Sequence, residues 1–295
     1  MKRGNVMRYR LSPNGNFAKH LRRLMRSIND EIALSLLRAF RDPETGVHEA
    51  RKGCKEIRAI LRLVKPHMDK EDFSDHQSFY KEVSAKLSGN RDALVRTKTW
   101  NSLVAEMPSL QGAPADTVAG FLSSQTLLDP LAEKGSDFFL DLALEVDAHN
   151  KEPKNWSLPK SLSDLVPNLK KIYQKARKAE KNARESEDIE DFHEFRKRSK
   201  DLFYCLRILR PMFGKGLKSK VSQLQNLTET QGDANDYAVL RDYLIDHREA
   251  LELDEKDFEL VKNAIQAKLH NLQDRAHSEA KHVLSESPGA FIKLL

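Results

Sequence analysis

VHEARKGCKEIRAILRLVKP at residues 47–66 and FHEFRKRSKDLFYCLRILRP at residues 192–211 are one pattern written twice. Laid over each other at an offset of 145, without a gap, they agree at eight of twenty positions. These are His48/His193, Glu49/Glu194, Arg51/Arg196, Lys52/Lys197, Lys55/Lys200, Leu61/Leu206, Arg62/Arg207 and Pro66/Pro211. Most of the rest exchange like for like. Downstream, GNRDALV (89–95) echoes GDANDYAV (232–239) with one residue more in the second copy. A repeat of roughly half the chain follows. The segment NKEPKNWSLPKS (150–161) has two prolines and no apolar period, which marks the boundary. The expected organisation is an N-terminal half over 1–150 and a C-terminal half over 157–295, together one domain.

Each motif reads as a helix with two stripes. In the first, Val47, Ala50, Cys54, Ile57, Leu61 and Val64 recur at spacings of three and four, a core-facing seam. One residue on, His48, Arg51, Lys55, Arg58, Arg62 and Lys65 repeat the spacing about 100° round the helix. No acid relieves the repulsion along this second stripe, which costs a few tenths of a kcal/mol per neighbouring pair. The second copy has Phe192, Phe195, Ser199, Leu202, Leu206 and Leu209 inside, with His193, Arg196, Lys200, Phe203, Arg207 and Arg210 beside them. Phe203 stands where the first copy has Arg58. The preceding helices add Lys19, Arg22, Arg23 and Arg26 in one half, and Lys170, Lys171, Lys175 and Lys178 in the other. Motif helices facing a shared groove would bring about a dozen cations together. Glu49 and Glu194 are expected to pair with Lys52 and Lys197 three residues on. Asp92, Asp233 and Asp236 are expected to cap helices or hold basic side chains.

Composition fits this picture. The 295 residues hold 50 Lys+Arg against 44 Asp+Glu, a net charge of +6. Residues 1–66 carry 16 cations and 6 acids, residues 166–220 carry 16 and 8, and the remainder is acidic. Separated basic blocks call for a polyanionic partner held at a defined place. Twelve glycines and the absence of period-2 alternation favour helix over sheet. Two cysteines make no disulfide framework; Cys54 and Cys205 lie on apolar faces and are expected as buried thiols. No apolar run of about 18 residues is present to span a membrane, and MKRGNVMRYRLSPNGN lacks a signal-peptide core, so a soluble cytoplasmic protein is expected.

Further helices are expected near 16–41, 46–65 with Thr45 as N-cap, 76–107, 115–130, 136–149, 162–186, 190–210, 215–230, 234–248 and 255–285. The fold class is all-α: two pseudo-symmetric antiparallel helical bundles packed around a basic groove.

The paired V/F-H-E-x-R-K-x-x-K helices, each followed by a G-x-R-D or G-D-x-N-D segment, resemble the CHAD (conserved histidine α-helical domain) family over nearly the whole chain. The resemblance implies an all-helical domain that binds inorganic polyphosphate, with members found on polyphosphate granules. Polyphosphate granules and polyphosphate-metabolising enzymes are the expected partners. It maps the family's basic and histidine positions onto His48, Arg51, Lys55, Arg58 and Arg62, then His193, Arg196, Lys197 and Lys200. Lys52, Arg207, Lys19, Arg22, Arg26, Lys171 and Lys175 extend this candidate polyphosphate-binding set. Phe203 departs from the family pattern, in which the position commonly carries Arg.

The chemistry agrees. Polyphosphate has about one negative charge per phosphate and no bases, so a row of Arg and Lys suits it, with Arg giving bidentate contacts. Histidine protonation would strengthen binding as pH falls through roughly 6.5. Binders of single-stranded nucleic acid interleave aromatics with the basic track, whereas the aromatics of these motif helices lie mostly on the core side, so nucleic acid is the weaker partner. H-E-x-x-H zinc chemistry is excluded because Lys52 and Lys197 occupy the second histidine's place. No catalytic residue, cofactor or metal is called for, and a non-catalytic granule-associated or scaffold module is the leading expectation. An enzyme acting on phosphoanhydride or triphosphate substrates is the alternative, against which stands the lack of clustered carboxylates to hold Mg²⁺.

Overall fold

The computed structural model describes residues 10–12, 15–88, 91–126, 135–149, 157–186, 188–213 and 215–293. Among the described residues the chain forms α-helices and no strand. They are α1 (Phe17–Ala39), α2 (Pro43–Val64), α3 (Lys70–Lys86), α4 (Arg91–Glu106), α5 (Ala113–Thr126), α6 (Gly135–His149), α7 (Val166–Ser186), α8 (Ile189–Leu209), α9 (Lys215–Asp246), α10 (Glu255–Val283) and α11 (Pro288–Lys293).

The first motif helix starts earlier than Thr45 suggests. Asp42 is the cap, its carboxylate accepting from the Thr45 backbone N–H at 3.2 Å, and Pro43 takes the first turn, where its missing N–H costs nothing. Pro66 ends the helix as expected, in a 3₁₀ turn over Lys65–His67. The stretch 76–107 is two helices, α3 and α4, divided after Ser88. Conversely 215–230 and 234–248 are one helix, α9. Gly232 lies inside it with open space around it, and its helix cost of about 1 kcal/mol is offset by Leu227, Ala234, Tyr237 and Ala238, all buried. The boundary at 150–161 falls largely on residues outside those described.

Every expected core position of both motif helices is buried. α2 buries more than its predicted stripe: Gly46, Gly53, Ala59, Ile60 and Leu63 are also inside, because α1, α3, α7 and α8 all pack on it. Its crossing with α1 is close. A Cβ on Gly46 would stand 2.5 Å from the Ala39 backbone, and one on Gly53 would stand 2.5 Å from Ile32 Cγ1. α7 and α8 repeat the α1–α2 hairpin, and α9 and α10 complete that half. α4 and α5 pack on α9 and α10 rather than only within their own half, so one continuous core runs through the described chain.

A polar tie holds α6 in place. Buried Asn29 on α1 donates to Val146 O at 2.8 Å and accepts from Tyr80 Oη on α3 at 2.7 Å. Beside it, His76 Nδ1 and His149 Nε2 share a hydrogen bond of 2.5 Å, and the His149 ring stacks on Phe79 at 3.7 Å. Burial, then the neighbouring His76, hold the His149 imidazole down to about 4.

Candidate functional site

The two motif helices, α2 and α8, pack directly on each other. Three contacts give the sense of the crossing. Glu56 Oε1 meets Arg207 Nη2, Cys205 Sγ donates to Ala59 O at 3.6 Å, and Arg62 Nη1 meets Asp201 Oδ1 at 3.0 Å. Numbers rise on α2 as they fall on α8, so the helices run antiparallel. The offset of 145 carries Glu56 onto Asp201 and Arg62 onto Arg207. The two ion pairs are therefore one contact repeated by a pseudo-two-fold axis. Neither acid was singled out by the stripe pattern. Their signal was the like-for-like exchange at equivalent places in the repeat.

Cations gather where the helices cross. Asp201 feels Arg62 and Arg58 from α2, and Arg198 and Lys197 from its own helix, with Arg198 Nη1 at 3.4 Å. Burial outweighs all four and raises the Asp201 carboxyl above the usual range. Arg58 is held down by burial and by Arg62, while its Nε donates to Gln77 Oε1 at 3.4 Å and Gln77 Nε2 donates back to Arg58 O at 2.8 Å. α7 joins the same place: Asn168 Nδ2 donates to Arg62 O and Leu63 O at 2.7 and 2.8 Å, satisfying carbonyls at the end of α2. Exposed Lys171 is one turn further along α7. On α1 the close approaches of Gly46 to Ala39 and Gly53 to Ile32 make that hairpin antiparallel too. This sets half-buried Arg22 and exposed Lys19 and Arg26 at the level of the C-terminal end of α2.

The remaining members have diverse settings. Arg51 and Arg196 do the same job in each half, donating to Leu87 O at 3.1 Å and Gln231 O at 3.1 Å, which pins each motif helix to the element that follows. Lys52 and Lys197 pair with Glu49 and Glu194 at 2.9 Å, as the spacing predicted. Lys55 and Lys200 are half-buried at equivalent positions, and Lys175 is exposed on α7. Arg207 has an aromatic flank, its guanidinium carbon 5.3 Å from the Phe203 ring and 5.1 Å from Tyr204. Phe203 is buried, so the substitution at Arg58's equivalent packs rather than charges. His48 and His193 lie on opposite sides of the crossing, each about 16–18 Å from it at 1.5 Å per residue. The structure thus draws together the C-terminal halves of both ladders, and leaves the histidines at the far ends.

Both thiols are fully buried; burial pushes Cys54 up to about 11 and Cys205 higher still. Asp233 and Asp236 line a cavity of about 410 Å³ between α4, α9 and α10 with Lys98, Lys268 and Arg275, and burial followed by Asp236 raises the Asp233 carboxyl. The Asp92 side chain lies outside what the structure describes. Among the described residues no group of three or more His, Cys, Asp or Glu is placed to hold a metal ion, and no helix is long and apolar enough to cross a membrane.

These features define a class: an all-helical domain built by duplication, whose equivalent basic helices cross face to face. The chain belongs to the CHAD family, whose domain model matches residues 19–245. Among solved structures, PptA from Streptomyces chartreusis superposes with a TM-score of 0.61 at 14% identity, covering 92% of this chain and 100% of that one. The CHAD domain from the plant Ricinus communis gives 0.58 at 15% identity, covering 92% and 94%. Both share the fold. No curated protein matches the sequence.

Proposed function

We propose that this chain binds inorganic polyphosphate along the α2–α8 crossing and acts by holding the polymer, as a granule-associated or scaffold module, rather than by cleaving it. One observation carries the reading: Arg58, Arg62, Lys197 and Arg198, drawn from both halves, surround a single carboxylate, Asp201. Lys171 lies one turn along α7 from Asn168, which bonds the Arg62 carbonyl. An excess of guanidinium and ammonium groups over acids at one crossing suits a flexible chain with a charge on every unit and nothing else to recognise. Arginine forks match phosphate oxygens in pairs, and the aromatic flank at Phe203 and Tyr204 is too short to be a stacking track for bases.

The test is competition between long-chain polyphosphate and duplex DNA or single-stranded RNA at several salt concentrations, since all weaken with salt by counter-ion release. Polyphosphate is expected to win at every ionic strength. Lys171→Glu with Lys175→Glu, both at exposed positions, should weaken binding about tenfold while leaving the melting curve in place. Charge reversal without effect on affinity would refute the assignment. Phosphate release with Mg²⁺ in the same tube tests catalysis, and none is expected.

A further inference from the structure

The acids at the crossing differ in their setting from the arginines they meet. The Glu56 side chain is 2% exposed and that of Asp201 11%, whereas Arg207 and Arg62 are 29% and 27% exposed. Each carboxylate therefore sits beneath the surface and each guanidinium spans from it towards solvent. Beyond Glu56 and Arg207 a cavity of about 400 Å³ opens, lined also by Arg10, Arg210, Leu24 and Pro211. The groups that Glu56 and Asp201 neutralise are the ones a polyanion would seek. The same N–H donors cannot give full-strength bonds to a buried carboxylate and a phosphate at once.

Two roles are open to such acids. They could act only as cement between the helices, in which case removing their charge loosens the crossing and weakens everything built on it. Or they could act as ligands already in place, in which case removing their charge strengthens the site. The repeat favours the second. An acid is retained at the same place in both copies, each under a half-exposed arginine on the binding face, although burial makes the charge at Asp201 unfavourable. An apolar residue would have closed the crossing at no such cost.

We propose that Glu56 and Asp201 are built-in competitors of the polyanion: in the free protein they occupy Arg207 and Arg62, and phosphate must displace or share those bonds, so the two acids set the affinity and reversibility of binding. This rests on the polyphosphate reading and adds the residues that moderate it.

The test uses the full chain, linear long-chain polyphosphate, and the variants Asp201→Asn and Glu56→Gln, which keep shape and hydrogen-bonding capacity. Dissociation constants are measured over a range of salt concentrations, alongside thermal melts. Each variant should bind about threefold or more tightly, in line with the worth of one partly exposed ion pair. The slope of log K against log salt should steepen by up to about one per freed guanidinium. Adding Arg62→Gln to Asp201→Asn should erase the gain. A variant that melts cooperatively yet binds as the parent does, or more weakly, overturns the inference. If one variant fails to fold, the symmetry-related one carries the test. A parent chain and variants that all fail to bind polyphosphate would instead overturn the proposed function.

Discussion

Stability should fall on mild acidification, and much of the fall should trace to His149. In the fold its imidazole is held down to about 4 by burial and by His76; in the unfolded chain it titrates near 6.5. Between these values the unfolded state takes up a proton that the folded state refuses. Stability attributable to His149 is therefore intact above about pH 6.5 and is lost as pH drops towards 4. With a gap of about 2.5 units at 1.36 kcal/mol each, the full loss is about 3 kcal/mol, of which about 2 kcal/mol falls between pH 7 and pH 5. His149→Gln can still hydrogen-bond His76 and has no proton to gain. Urea unfolding at pH 7, 6 and 5, at constant ionic strength, should show the parent weakening by about 2 kcal/mol more than the variant over that range. Parallel pH profiles would refute the reasoning, and would mean that the His76–His149 bond is not kept neutral by the packing of α3 against α6.

Gly46→Ala should destabilise more than Gly53→Ala in denaturant melts, with the first costing about 3 kcal/mol and the second about 1–2 kcal/mol. The new methyl at 46 meets the Ala39 backbone, which cannot yield, whereas at 53 it meets the end of the Ile32 side chain. Leu61→Ala, in the fully buried stripe of α2, should cost about 2–5 kcal/mol, read from the same melts. Neither Cys54 nor Cys205 should react with a thiol reagent at pH 8 until the protein unfolds, after which two equivalents should react. Fast labelling of the native chain would contradict their burial.

The parts of this fold that repeat with helical period were legible in the sequence. Val47 to Val64 and Phe192 to Leu209 announce their buried faces because each side chain needs only its own helix to be read. What escaped depends on a partner distant in the chain. Gly53, Ala59 and Ile60 look neutral until α1 and α8 are laid against them. Arg62 and Arg207 look like free members of a ladder until Asp201 and Glu56 arrive from the other half. Small side chains and single acids carry no period, so only the crossing gives them meaning. The join through Gly232 escaped for the opposite reason: a local breaker was overruled by apolar neighbours on both sides. The split at Ser88 was signalled by the Ser-Gly-Asn run that follows Leu87, which a long helical reading passed over.

The reciprocal pairs at the crossing also bear on how such a chain could have arisen. One motif helix contains both an acid and, six positions on, the arginine that answers it, but the rise between them keeps them from meeting on their own rod. Two copies related by a two-fold axis close both bonds at once, as in an isologous dimer. A gene encoding a single half would thus have specified a product that completes itself only by meeting its twin, and fusing the two would have freed that union from dilution.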